Sequence, residues 1–246
     1  MRTFYNFFNR FLNFQVIITI VNMGCTFCED NTNNPSPVLF YPSVSPNVAD
    51  IVVLLDGSAS VKKQDFEQFK DFVKLLANPS WISEKNVHLS VMEFSDDARV
   101  VIPLNRFYDV TELRSAIDRL QASGGSSRTD IALEKAWGEG FAPENGARVD
   151  APKILILVTD GKSSGTTQLK NAVMPLRQNG VAVHVVAIGD GAGEPSLVDV
   201  ATRGSYVETV GRPDHVTSVL PSIIRKINKN LEKGMCRKLY GVKQMY

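Results

Sequence analysis

Two apolar runs in this chain end on an aspartate. Asp56 follows the first run, and serines stand two and four residues after it, at Ser58 and Ser60. Asp160 follows the second run, and Thr129 stands in the glycine- and serine-rich segment between the two runs. These five side chains offer two carboxylates and three hydroxyls, with no sulfur and no imidazole. Such oxygen ligands suit Mg²⁺, Mn²⁺ or Ca²⁺ and argue against zinc.

The five candidate ligands would leave a divalent cation only partly neutralised, because three of them are uncharged hydroxyls. Mg²⁺ commonly completes a roughly octahedral shell with ligands from outside the protein. An Asp or Glu carboxylate of a partner protein could take that open position. The predicted chemistry is therefore cation-dependent binding of an acidic residue.

These residues are far apart in the chain, so a fold must bring them together. From Ala49 onward, short apolar runs alternate with amphipathic segments of helical spacing, which is typical of an α/β fold with a mostly parallel sheet. Ala98–Ile102 follows its preceding run so closely that it must return as an antiparallel edge strand. Strands are predicted at 51–55, 87–94, 98–102, 154–158 and 181–188, and helices at 62–77, 110–120, 129–138, 167–178 and 218–230.

The position of the candidate ligands at strand ends matters for this fold. In open α/β sheets, ligands bind beyond the carboxyl ends of the strands, where the strand order reverses. If the strands 51–56 and 154–159 are neighbours at that point, Asp56 and Asp160 converge on one place. The alternative is that both aspartates only cap helices.

Three motifs in this order resemble the metal-ion-dependent adhesion site of von Willebrand factor type A domains, which include integrin I domains and the domains of matrilins. They are Asp-x-Ser-x-Ser after the first strand, a threonine in the middle loop, and Thr-Asp-Gly after the fourth strand. Position by position, the family's ligand set falls on Asp56, Ser58, Ser60, Thr129 and Asp160. The resemblance implies a Rossmann-like, doubly wound sheet of six strands, mostly parallel with one antiparallel edge strand, and helices on both faces.

One position departs from the family's usual middle-loop pattern. The family often has Thr-x-Thr-Gly there, whereas this chain has Ser127, Arg128, Thr129 and Asp130. We expect Asp130 to add negative charge beside the metal and to shift the preference among cations.

The resemblance implies a secreted adhesion or protein-binding module that holds Mg²⁺ (or Mn²⁺ or Ca²⁺) and binds an acidic residue of an extracellular partner. It does not imply an enzyme. One alternative is a structural extracellular-matrix protein whose metal site is idle. Another is a metal-dependent hydrolase that uses the same oxygen cluster, although the sequence shows no evident general base or activated nucleophile.

Composition argues against several other classes. The chain has 246 residues, of which 43% are hydrophobic and 22% charged, enough for one domain with a large core. Its 27 basic and 26 acidic residues nearly balance, so no overall field favours nucleic acid. Glycine-containing segments after two strands lack the full spacing of nucleotide-binding motifs, so no nucleotide is expected.

The two ends of the chain carry separate predictions. Residues 1–25 contain an apolar stretch that is too short and too polar to span a bilayer, and we expect a secretory signal peptide, no membrane span and an extracellular location. Residues 26–48 are predicted to be a proline-rich linker, 49–231 the domain, and 232–246 a short basic tail.

Three cysteines are too few for a disulfide scaffold. Related extracellular domains often join their two ends by a disulfide, and the resemblance implies a bond between Cys28 and Cys236. Closing a loop of about 200 residues would add up to about 5 kcal/mol in the chain-entropy model. Cys28 could instead pair with Cys25, or Cys236 with another chain.

Overall fold

The computed structural model describes residues 48–162 and 168–240, with side chains as far as Leu231. The described residues up to Leu231 belong to one compact unit. The predicted signal peptide, all but the last residue of the predicted linker, Cys25 and Cys28 lie outside the described residues, as does the side chain of Cys236.

The described part of the chain contains one six-stranded sheet with the order β3-β2-β1-β4-β5-β6. The strands are β1 (Ala49–Asp56), β2 (Val87–Phe94), β3 (Ala98–Ile102), β4 (Lys153–Thr159), β5 (Ala182–Ile188) and β6 (Val207–Val210). Neighbouring strands are parallel except for β2 and β3, which are antiparallel. The predicted mostly parallel sheet with an antiparallel edge strand is confirmed.

Helices cover both faces of this sheet. Within the described residues they are α1 (Lys63–Leu76), α2 (Val110–Asp118), α3 (Thr129–Lys135), α4 (Leu169–Gln178), α5 (Pro195–Val200) and α6 (Leu220–Tyr240). Short 3₁₀ segments lie at Pro143–Asn145, Gly189–Gly193, Gly204–Tyr206 and Pro213–Val219, and a π-helical turn lies at Ala136–Gly140. Of the helices that the structure describes, none has the length and apolar character needed to cross a membrane.

The central strand β1 supplies side chains to two separate cores. Ile51, Val53 and Leu55 pack with apolar residues of α1, α2 and α6. Val52 and Leu54 point to the other face and pack with residues of α3, α4 and α5. Because both faces are covered, every residue of β1 is buried, and the strand is a nearly continuous apolar run.

Several elements differ from the sequence-based predictions. β6 (Val207–Val210) was not predicted from the apolar runs, because it is only four residues long and largely half-exposed. The helix predicted to end at residue 138 ends at Lys135 and continues as the π-helical turn; a Cβ at Gly140 would lie 2.7 Å from the Met92 sulfur. The last helix continues past residue 230 to Tyr240, since no proline follows to stop it.

A buried ion pair lies at the end of the sheet where the parallel strands begin. Asp50 is fully buried, and it accepts hydrogen bonds from the backbone nitrogen and the Nε of Arg148 at 2.7 and 2.8 Å. Nη2 of Arg148 also donates to the carbonyl oxygens of Ala49 and Asn86, both at 2.8 Å. These contacts attach the segment before β4 to the start of β1.

Candidate metal centre

The strand order brings the two motif aspartates together at the end of the sheet where the parallel strands terminate. β1 lies between β2 and β4, so the strand order reverses at the boundary between β1 and β4. The parallel register pairs Leu55 with Val158, which places Asp56 beside Thr159 and directs Asp160 to the same edge. Burial first, and then the nearby Asp160 carboxylate, raise the pKa of Asp56, while hydrogen bonds from Ser58 and Thr159 lower it.

Asp56 is fully buried and is held by hydrogen bonds at both carboxylate oxygens. Oδ1 accepts the backbone N–H of Ser58 at 3.0 Å. Oδ2 accepts the hydroxyls of Ser127 at 3.0 Å and Thr159 at 2.7 Å. The carboxylate therefore has a fixed orientation, which is set by three different segments of the chain.

The two serines of the first motif lie together at the surface end of the site. The hydroxyl oxygens of Ser58 and Ser60 are 3.1 Å apart, with Ser58 buried and Ser60 exposed. Gly57 between Asp56 and Ser58 is required by space, since a Cβ there would lie 2.1 Å from Oε1 of Glu93. The buried Glu93 accepts hydrogen bonds from the backbone N–H and the hydroxyl of Ser123. It therefore links the turn at Gly57 to the segment before the middle loop.

The middle loop is held against this turn. Gly124 and Gly125 have φ values of 73° and 92°, a region that L side chains rarely adopt. The Gly124 nitrogen donates to the Gly57 carbonyl at 2.8 Å, and the Gly125 carbonyl accepts from Ala59 at 2.9 Å. This path carries Ser127 to Asp56 and places Thr129 at the first residue of α3.

Two oxygen atoms of the predicted ligand set are buried and have no hydrogen-bond partner among the described residues. They are Oγ1 of Thr129 and Oδ2 of Asp160. Leaving a buried polar atom unsatisfied costs about 1–3 kcal/mol, so native structures rarely do so without a reason. A cation at this edge would satisfy both atoms. The donors present, carboxylate and hydroxyl oxygens, suit a hard divalent cation.

No group of three or more His, Cys, Asp or Glu side chains in the described part of the chain could hold a metal ion. The predicted ligand set has only two carboxylates, so it is not a group of this kind.

Asp130 does not add free negative charge to the site. Its buried carboxylate accepts hydrogen bonds from Nε and Nη2 of Arg128 at 2.9 and 2.8 Å. The Arg128 guanidinium is the main reason that the pKa of Asp130 is lowered. Since the guanidinium neutralises the carboxylate, the expectation that Asp130 shifts the cation preference through its own charge has no support in the structure.

Sequence reasoning missed the side chains that orient Asp56. Thr159 was quoted as part of the Thr-Asp-Gly motif but was not assigned a role; a hydroxyl at the end of a buried strand must find a partner, and this was a usable signal. Ser127 gave no such signal, because its contact with Asp56 depends on the path of the middle loop. Glu93, a carboxylate inside an apolar strand, was also detectable.

Comparison with known proteins agrees with this geometry. Residues 50–222 match the von Willebrand factor type A domain, or VWA, family. The chain belongs to this family. Its sheet, with five parallel-running strands and one antiparallel edge strand, is the VWA fold.

This VWA chain is similar to several larger proteins. It is 29% identical over 177 residues to chicken (Gallus gallus) matrilin-3, covering 69% of this chain and 38% of that protein. It is 32% identical over 188 residues to the human (Homo sapiens) collagen alpha-6(VI) chain, covering 76% of this chain and 8% of that one. The chain thus spans less than half the length of either relative.

A solved structure of proximal thread matrix protein 1 from the mussel byssus, with a zinc-occupied MIDAS motif, is also similar. Its TM-score is 0.68 at 28% identity, covering 73% of this chain and 48% of that chain. Together these relatives are extracellular-matrix proteins, which supports a protein-binding adhesion module.

Proposed function

We propose that this VWA domain is a secreted protein-binding module that holds a divalent cation and binds an acidic side chain of an extracellular partner. The proposed ligands are Asp56, Ser58, Ser60, Thr129 and Asp160. The observation that carries the proposal is the pair of buried, unsatisfied oxygens of Thr129 and Asp160 at the edge where Asp56 is also buried.

Each part of the ligand set has a separate task in this proposal. Asp56 and Asp160 supply negative charge, and the hydroxyls of Ser58, Ser60 and Thr129 supply neutral oxygens. When bound, the cation offers a positively charged coordination position to a carboxylate from outside. Because Ser60 is exposed, a partner could approach this end of the proposed ligand set. Mg²⁺, Mn²⁺ and Ca²⁺ are the expected cations. Zinc is included in the experiment below because it occupies the MIDAS motif of the similar mussel protein.

Binding is favoured over hydrolysis by the positions of the histidines. The chain has three histidines. His88 contacts the Glu84 carbonyl, His184 stacks on Tyr206 with ring centres 4.3 Å apart, and His215 follows the edge strand β6. None of these contacts involves the proposed ligands, so no imidazole is in position to act as a general base. The matrix relatives support the same choice.

Titration of chelator-stripped protein with Mg²⁺, Mn²⁺, Ca²⁺ and Zn²⁺ tests the metal site. Asp160→Asn and Thr129→Val keep the side-chain shape but remove a ligand atom, and Ser126→Ala removes an exposed hydroxyl from the same loop as a control. We expect one cation site in the wild type and in the control, and loss of binding in both ligand variants. At 100 times its Kd the cation should stabilise the domain by about 2.7 kcal/mol. A wild type that binds none of the four cations would refute the proposal.

A partner-capture experiment distinguishes adhesion through the cation from a structural role in which the metal site is idle. The immobilised domain is incubated with extracellular-matrix extract in Mg²⁺ or in EDTA, and the retained proteins are identified. Capture that disappears in EDTA and with Asp160→Asn supports adhesion through the cation. Capture that survives both treatments contradicts it and favours the structural role.

A further inference from the structure

A groove of about 850 Å³ opens beside the candidate metal centre. One wall is the start of α1, and the other is the segment 118–124 between α2 and the middle loop. Ser58 belongs to this lining as well as to the proposed ligand set. The groove is therefore continuous with the position where a partner's carboxylate would bind.

Two exposed cations stand on the walls of this groove. Lys63 and Arg119 are exposed, and neither forms a salt bridge within the part of the chain that the structure describes. Lys70 beneath them is buried, and its ammonium is satisfied by Glu67 at 2.8 Å and by the Asp118 carbonyl at 2.9 Å.

The acidic residues of the lining do not cancel this charge. Glu67 is paired with Lys70, and the Asp118 carboxylate shares Lys74 with Asp71, at 2.6 and 2.8 Å. Once these pairs are formed, the charge left over on the groove walls is positive. Phe66, which is 2% exposed, adds an apolar side chain to the lining.

The length of the groove limits what it can hold. Its wall on α1 runs from Lys63 to Lys70, which is about 10 Å at a rise of about 1.5 Å per residue. An extended peptide covers that distance in about three residues. Lys63 begins α1 shortly after the Ser58–Ser60 turn, whereas Arg119 lies at the other end of this wall, because the Lys70 ammonium contacts the carbonyls of Asp118 and Leu120. A side chain two to four positions from the metal-binding residue would therefore lie along the wall between these two cations.

We propose that this groove binds the peptide segment next to the partner's metal-binding acidic residue and selects a second Asp or Glu two to four positions away from it. The inference rests on the proposed cation-dependent function and names the class of partner: a protein with two acidic residues in one extended segment. Complementary charge between that second carboxylate and either Lys63 or Arg119 provides the selection.

A displayed peptide library tests the inference. Each peptide carries one fixed Glu with randomised residues on both sides; it is bound to the domain in Mg²⁺, eluted with EDTA and sequenced. We expect Asp and Glu to be enriched about three- to tenfold at two to four positions from the fixed Glu, the range for one or two partly exposed ion pairs. Lys63→Glu and Arg119→Glu should abolish the enrichment. Lys85→Glu, an exposed lysine at the opposite edge of the sheet, should keep it.

The outcomes separate this inference from the function on which it rests. An EDTA-eluted pool without acidic enrichment, or with enrichment that the reversals at Lys63 and Arg119 leave unchanged, overturns the groove assignment and leaves cation-dependent binding intact. No EDTA-eluted peptide from a protein that binds the cation overturns both. Retention on heparin that depends on Lys63, without acidic enrichment among peptides, assigns the groove to sulfated glycans and also overturns the inference.

Discussion

The hydroxyl of Thr159 orients the buried Asp56 carboxylate. The effect of removing this hydroxyl on stability and on cation affinity can be predicted. The hydroxyl donates to Oδ2 of Asp56 at 2.7 Å and accepts the backbone N–H of Gly161 at 3.0 Å. Thr159→Val keeps the shape and removes both contacts. A hydrogen bond to a charged group contributes about 1.5–3 kcal/mol, so the buried carboxylate should lose about that much stabilisation.

The loss should appear in cation binding, because Asp56 can bind only in the orientation that its neighbours fix. Replacing a partner that orients a metal ligand costs about 10- to 100-fold in metal affinity, which corresponds to the same range of energy. We therefore expect the cation Kd of Thr159→Val to rise about 10- to 100-fold. Thr159→Ser, which keeps the hydroxyl, should stay close to the wild type.

Calorimetric titration of the chelator-stripped protein measures the Kd, and urea unfolding in EDTA measures stability. Thr202→Val is the matched control, since Oγ1 of Thr202 accepts from the Val183 nitrogen at 2.7 Å, away from the site. It should lower the free energy of unfolding and leave the Kd unchanged. If Thr159→Val folds and binds the cation with the wild-type Kd, the reasoning that Thr159 orients Asp56 for binding is wrong.

Two further predictions concern stability and are independent of the metal centre. Arg148→Met leaves the fully buried Asp50 without its partner and should lower the free energy of unfolding by about 3–5 kcal/mol in urea titrations, whereas adding Asp50→Asn should recover part of the loss; a loss below about 1 kcal/mol would contradict this account. Burial, followed by the charge of Lys226, lowers the pKa of His184 from 6.5 to about 4. Because the unfolded chain takes up a proton near pH 6.5 and the folded one only near 4, the free energy of unfolding should be steady above pH 6.5. It should then fall by on the order of 3 kcal/mol by pH 4, and His184→Gln should flatten this slope in thermal melts across that range.

Much of the fold was predictable from local patterns. The apolar runs of β1 and β4 mark strands buried on both faces, and the 3.6-residue spacing marks most of the helices. Both patterns depend on residues that are close in the chain, so they can be found without knowing the folded structure. β6 was missed because four half-exposed residues carry too little of either pattern.

The sequence by itself determined which residues follow the carboxyl ends of the two central strands, and the motif resemblance added Thr129 of the middle loop to complete the five candidate ligands. Only the tertiary structure decided what holds and surrounds them. Asp56 is oriented by Ser127 and Thr159, which are 71 and 103 residues away in the chain, and the Asp130 carboxylate is neutralised by Arg128. Hydrogen bonds of this kind depend on the path of the middle loop and on the register of β1 against β4. Neither leaves a periodic pattern in the sequence, because both are fixed only when distant segments pack together.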